Sequence, residues 1–81
     1  MPILKIKLTD AAGVALSGQT VNVSTMGELQ SNADGIAQFL RGDVGPVNVN
    51  INGQLAWAGS SDVLAKEETF QQGANGFARL G

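Results

Sequence analysis

Leu29-Gln30-Ser31-Asn32-Ala33-Asp34-Gly35-Ile36-Ala37-Gln38-Phe39-Leu40 runs from one half-apolar segment through an Asp-Gly dipeptide into another. An Asp-Gly pair between such segments is among the stronger local signals for a β-hairpin, because a tight reversal compatible with strand twist needs positive φ, which Gly and Asp tolerate. The stretch therefore reads as a hairpin centred on Asp34-Gly35. The pattern recurs: Ala33-Asp34-Gly35-Ile36-Ala37 is echoed by Ala11-Ala12-Gly13-Val14-Ala15 and by Ala74-Asn75-Gly76-Phe77-Ala78. The echoes are unevenly spaced, which suits repeated turn chemistry better than stacked solenoid units.

Outward from that hairpin the chain continues as short segments of period two. Residues 3–8 alternate Leu4, Ile6 and Leu8 with Lys5 and Lys7, as a half-buried strand requires. Thr9 to Ser17 reads as a loop around Asp10 and Gly13; alternation then returns over Gly18 to Thr25, with Val21 and Val23 on one side, and Gly27 breaks it. Arg41 to Pro46 reads as a second connection. Val47, Val49 and Ile51 then face one way and Asn48, Asn50 and Asn52 the other. Asn52-Gly53 is a tight-turn dipeptide into Gln54 to Ala58, where Leu55 and Trp57 are expected to share a face. Val63 to Glu68 reads as a short irregular or helical link into a last hairpin, Thr69 to Gln72 and Phe77 to Leu80.

Seven or eight short antiparallel strands with regular turns and little helix indicate a sandwich or small barrel. Leu4, Val21, Ile36, Val49 and Trp57 are expected to meet in its interior. With 81 residues the chain makes one domain, residues 1–81, of a size that buries roughly 60% of the unfolded surface. No cysteine is present, so the fold must hold by its core without disulfides.

Positions 4–52 resemble the bacterial immunoglobulin-like domains of the intimin and invasin type. The resemblance is carried by Leu8-Thr9-Asp10-Ala11-Ala12-Gly13, then Leu16-Ser17-Gly18-Gln19-Thr20-Val21-Asn22-Val23, then Asn32-Ala33-Asp34-Gly35-Ile36-Ala37. The same order is similar to carboxypeptidase regulatory-like and transthyretin-like sandwich modules. The resemblance implies an all-β, immunoglobulin-like β-sandwich acting as a non-catalytic spacer, adhesion or docking module. Its matched positions are scaffold, so no binding residues carry over. The last thirty residues depart from the pattern with an extra segment and another glycine turn.

The inventory of reactive groups is short. With neither histidine nor cysteine, the commonest general base, the thiol nucleophile and imidazole or thiolate metal sites are missing. Glu67 and Glu68 are neighbours and point to opposite faces of a strand, where a solvated pair is the expected reading. Ser60, Ser61 and Lys66 lack the spacing of a Ser-x-x-Lys nucleophile. No enzyme activity and no cofactor are expected. Asp10, Asn32 and Asp34 offer oxygen atoms of the kind Ca²⁺ takes, but in an incomplete set that turn chemistry accounts for.

A net charge of -2 with five Lys and Arg, none clustered, is not that of a nucleic-acid binder. No segment approaches the length of a membrane span, and the opening residues do not read as a secretory signal. The expectation is a chain cytoplasmic at synthesis, with incorporation into a particle or cell-surface assembly left open.

Two surface features remain as candidate partner sites. Arg41-Gly42-Asp43 is the tripeptide that integrin ligands display in a loop, so Arg41 and Asp43 are candidate contacts, against the plainer reading that three residues match often by chance and Gly before Asp is ordinary turn chemistry. Asn has low strand propensity, so the alternating Asn48, Asn50 and Asn52 ask for a reason: a solvated sheet face that avoids charge, or amides poised to hydrogen-bond a partner. The expected partner is another protein or a second copy of the chain, in an adhesin, a phage particle or a multisubunit complex. The alternative is a carbohydrate-binding module using Trp57 and the Asn face.

Overall fold

A computed structural model describes residues 3–41, 44–64, 66–74 and 76–80. Among them are eight strands: β1 (Ile3–Thr9), β2 (Thr20–Val23), β3 (Gly27–Gln30), β4 (Ile36–Leu40), β5 (Pro46–Ile51), β6 (Gln54–Ser60), β7 (Glu67–Gly73) and β8 (Gly76–Arg79), with one 3₁₀ turn at Ser61–Val63. They form two four-stranded sheets, β4-β1-β7-β8 and β3-β2-β5-β6. One interior lies between the sheets, built from Leu4, Ile6, Leu8, Ala37, Phe39 and Phe70 on the first and Val21, Val23, Val47, Val49 and Ile51 on the second. The all-β, two-layered architecture agrees with the period-two reading of the sequence.

The alternation of β1 does what its composition requires: Leu4, Ile6 and Leu8 are fully buried while Lys5 and Lys7 take the outer face. Not all pairing is antiparallel, however. β1 runs antiparallel to β4 but parallel to β7, with Lys5 opposite Glu67 and Leu8 opposite Phe70. The 3₁₀ turn and the residues after it carry the chain from β6 in one sheet to β7 in the other, so β7 enters beside β1 from the same end.

The Asp34-Gly35 reversal is not a hairpin. β3 pairs with β2 and β4 pairs with β1, so the turn is an arch between the sheets. Asn32 organises it: its Oδ1 accepts from Asp34 N at 2.9 Å and Ile36 N at 3.1 Å, and its own N–H donates to Ile36 O at 3.0 Å. The strand partner of Leu29 and Gln30 is instead β2, reached through the turn over 24–26. The arch also reverses the expected face of β4. Ala37 and Phe39 point inward and Ile36 is only half-buried on the outer face, so Ile36 does not join Leu4, Val21 and Val49 in the interior.

Asn52-Gly53 is a true hairpin turn, with φ of 54° and 83°, the pair of positive values that a type I′ reversal needs. Beyond it the register slips between Val49 and Asn50: Asn50 pairs with Leu55 and Val49 with Trp57, leaving Ala56 as the extra residue of a bulge. A bulge shifts the residues after it to the other face. Leu55 is accordingly 64% exposed beside Asn50, whereas Trp57 is turned inward and packs against the core. The expectation that the two share a face fails for this reason.

Candidate functional site

The outer face of β3-β2-β5-β6 is set by the buried valines and isoleucine on its reverse. Because Val21, Val23, Val47, Val49 and Ile51 are inside, Asn22, Asn48 and Asn50 must be outside. Register then lines up Glu28, Asn22, Asn50 and Leu55 in one row across all four strands, with Asn48 opposite Ala58 in the next. Glu28 is the only ionisable side chain on the strands of this face among the described residues.

The three asparagines of the β5 stripe are not equivalent. Asn52 is committed to the fold: Oδ1 accepts from Thr20 N at 3.0 Å, and Nδ2 donates to Gln19 Oε1 at 2.7 Å. Asn48 uses its backbone, donating N–H to Ser24 Oγ at 2.8 Å and accepting from Ser24 N at 3.0 Å. Among the described residues, the carboxamides of Asn22, Asn48 and Asn50 have no hydrogen-bond partner, so each presents both a donor and an acceptor to the outside.

Arg41 is placed differently from a displayed loop residue. It is half-buried, and its guanidinium donates to Leu64 O at 2.6 Å and Ser61 O at 3.4 Å, fastening the end of β4 to the 3₁₀ turn. Asp43, like Gly42, lies outside the described residues. The oxygens considered for a cation serve the turns themselves: Asp10 Oδ1 accepts from Ala12 N and Val14 N, each at 2.9 Å, as Asn32 Oδ1 does in the arch. Among the described residues no three His, Cys, Asp or Glu side chains are grouped to hold a metal ion, and no helix is long and apolar enough to cross a membrane.

Glu67 and Glu68 are not a solvated pair. Glu67 is exposed, but Glu68 is 5% exposed and faces Arg79, whose Nε lies 2.9 Å from Oε1 and whose Nη2 lies 3.2 Å from Oε2. The guanidinium also stands over the Trp57 ring, 5.6 Å from its centroid, so one arginine ties β7 and β8 of one sheet to β6 of the other. The hydrogen bond to Glu68 pushes the Arg79 guanidinium further above its ordinary value, with burial opposing and the carboxylate's charge adding to it. A signal for the burial of Glu68 was present: Phe70 is an obvious core residue, and two positions earlier on the same strand Glu68 must share its face.

Trp57 in turn depends on Gly59. A Cβ at Gly59 would lie 2.8 Å from Trp57 Cζ2 and 2.9 Å from Cη2, so the indole lies back over bare backbone. Gly59→Ala is expected to lift the ring from the core, reddening Trp57 fluorescence and raising its quenching by acrylamide, at about 1–3 kcal/mol of stability. An unchanged spectrum would contradict that placement.

No protein-family model matches the chain, and no curated protein or solved structure matches it either.

Proposed function

We propose that the chain is a non-catalytic structural or protein-binding module, an immunoglobulin-like sandwich of the kind its sequence resembles. It acts by association, through the outer face of β3-β2-β5-β6, with a second copy or a protein neighbour in a larger assembly. The observation that supports this best is the set of three carboxamides, Asn22, Asn48 and Asn50, uncommitted among the described residues, on a sheet face whose described strands carry a single ionisable group. Carboxamides lose little on burial when a partner pairs them, whereas unpaired charge is expensive to bury. Each amide both donates and accepts, so such a face is complementary to another like it. The exposed Leu55 at the end of the row adds an apolar contact. Sugar-binding platforms offer aromatic rings to solvent, and the inward Trp57 withdraws the only tryptophan from that role.

Light scattering over a concentration series tests the reading. The mass is expected to rise above the 8.3 kDa monomer. Asn50→Lys, which puts a charge in the middle of the face, is expected to return it to the monomer, while Lys7→Gln on the other sheet leaves association intact. A wild-type mass fixed at the monomer up to the solubility limit would remove self-association.

A further inference from the structure

We infer that Asn52 is a spontaneous deamidation site that the fold holds shut. Asn52 and Gly53 form the exposed two-residue turn between β5 and β6. In an Asn-Gly pair the glycine nitrogen is unhindered by a Cβ and can attack the asparagine side-chain carbonyl carbon. The Gly53 N to Asn52 Cγ bond forms, the Cγ to Nδ2 bond breaks, and the Gly53 amide proton leaves with that nitrogen as ammonia. Water then adds to either carbonyl of the succinimide ring, opening it to aspartate or isoaspartate. The net change is one water consumed and one ammonia released, with no oxidant and no catalyst.

Both polar atoms of the Asn52 carboxamide are taken in the folded chain, Oδ1 by Thr20 N and Nδ2 by Gln19 Oε1. The backbone N–H of Asn52 is fixed as well, donating to Thr20 O at 2.8 Å. Gln19 cannot simply turn over to suit a different neighbour, because its own Nε2 donates to Ser17 O at 3.1 Å. Cγ therefore reaches Gly53 N only after the carboxamide gives up two hydrogen bonds to the entrance of β2. Unfolding removes both at once, and loss of Gln19 removes one.

The products do not fit the place they are made in. Aspartate sets a carboxylate oxygen against Gln19 Oε1, two acceptors with no proton between them. Isoaspartate adds a backbone carbon to a turn whose length sets the β5–β6 register. Either product therefore loses a contact that ties the β5–β6 turn to the entrance of β2.

Trypsin separates the sites, because cleavage after Arg41 and Lys66 places Asn52 in one peptide and the second Asn-Gly pair, Asn75-Gly76, in another. The experiment incubates folded wild type, folded Gln19→Ala and both chains unfolded in urea, in mildly alkaline buffer, and tracks by peptide mass spectrometry the mass gain that replaces NH₂ by OH at Asn52. Folded wild type is expected to react about tenfold or more slowly than the unfolded chain, the ratio that two side-chain hydrogen bonds supply. Folded Gln19→Ala is expected to fall between them, while the two unfolded chains react alike. Equal rates in folded and unfolded wild type, or a folded Gln19→Ala as slow as folded wild type, would overturn the inference. Circular dichroism establishes that Gln19→Ala is folded; if it is not, the wild-type ratio alone decides.

Discussion

Phe70→Ala is expected to remove a large share of the stability of this protein and to release β7 and β8 together. Phe70 is completely buried and is the largest of the fully buried side chains. The buried positions of β7 are Glu68 and Phe70, so Phe70 is the one apolar residue holding that strand to the core. Truncating a buried phenylalanine costs about 3–5 kcal/mol, against about 4–12 kcal/mol expected for a domain of this length. Urea denaturation monitored by circular dichroism would show the midpoint falling sharply. Phe77→Ala, in the partly buried position opposite Gln72, is expected to lose much less. Similar losses for the two variants would mean that β7 is anchored by something other than Phe70.

Gly35→Ala is expected to be the most damaging of the glycine substitutions. Gly35 has φ of 75°, a left-handed backbone that costs a residue with a Cβ roughly 1–2 kcal/mol. Space is the larger problem: the added Cβ would lie 2.7 Å from the carbonyl oxygen of Leu8 and 3.1 Å from both Ala15 Cβ and Leu16 N. Those neighbours are backbone and a short side chain, and none can swing aside. Leu8 N also donates to Gly35 O at 2.7 Å, so relief by moving the arch breaks the rung that starts the β1–β4 ladder. Backbone and overpacking strain together give a total loss of about 3 kcal/mol, read as a lowered thermal midpoint. Gly53→Ala, equally left-handed but with nothing within 4 Å of its Cβ, isolates the backbone contribution and is expected to lose less.

These two glycines also mark how far local sequence could be taken. Asp34-Gly35 and Asn52-Gly53 carry the same turn chemistry, yet one is an arch between sheets and the other a hairpin within one. The residues of a turn set its φ angles but not which strand waits beyond it; that is decided by the burial of Phe39 rather than Ile36. Alternation located β1, β2 and β5 and the outward direction of Asn48 and Asn50, because each of those strands has an unbroken apolar side. It failed at β6, where the extra residue Ala56 separates Leu55 from Trp57. Leu29 and Gln30 were legible as a strand but not their pairing with β2, because Leu29 is the one bulky apolar residue of β3 and the strand is exposed throughout. The Glu68–Arg79–Trp57 cluster joins three strands, and Arg79 gives no hint in its own neighbourhood of which carboxylate it will meet. The separate duty of Asn52 was equally out of reach, since its partners Gln19 and Thr20 stand more than thirty residues away.

The parallel pairing of β1 with β7 has a kinetic side. β1 is an inner strand whose second neighbour lies roughly sixty residues further along the chain, so its flank stays bare while everything between is still finding its place. Closing so long a loop brings an entropic cost before any contact rewards it, and topologies of this sort fold in milliseconds to seconds rather than microseconds. The β1–β7 pairing waits for the last third of the chain, and a molecule cut short before β7 keeps an adhesive strand edge that neighbouring molecules can occupy instead.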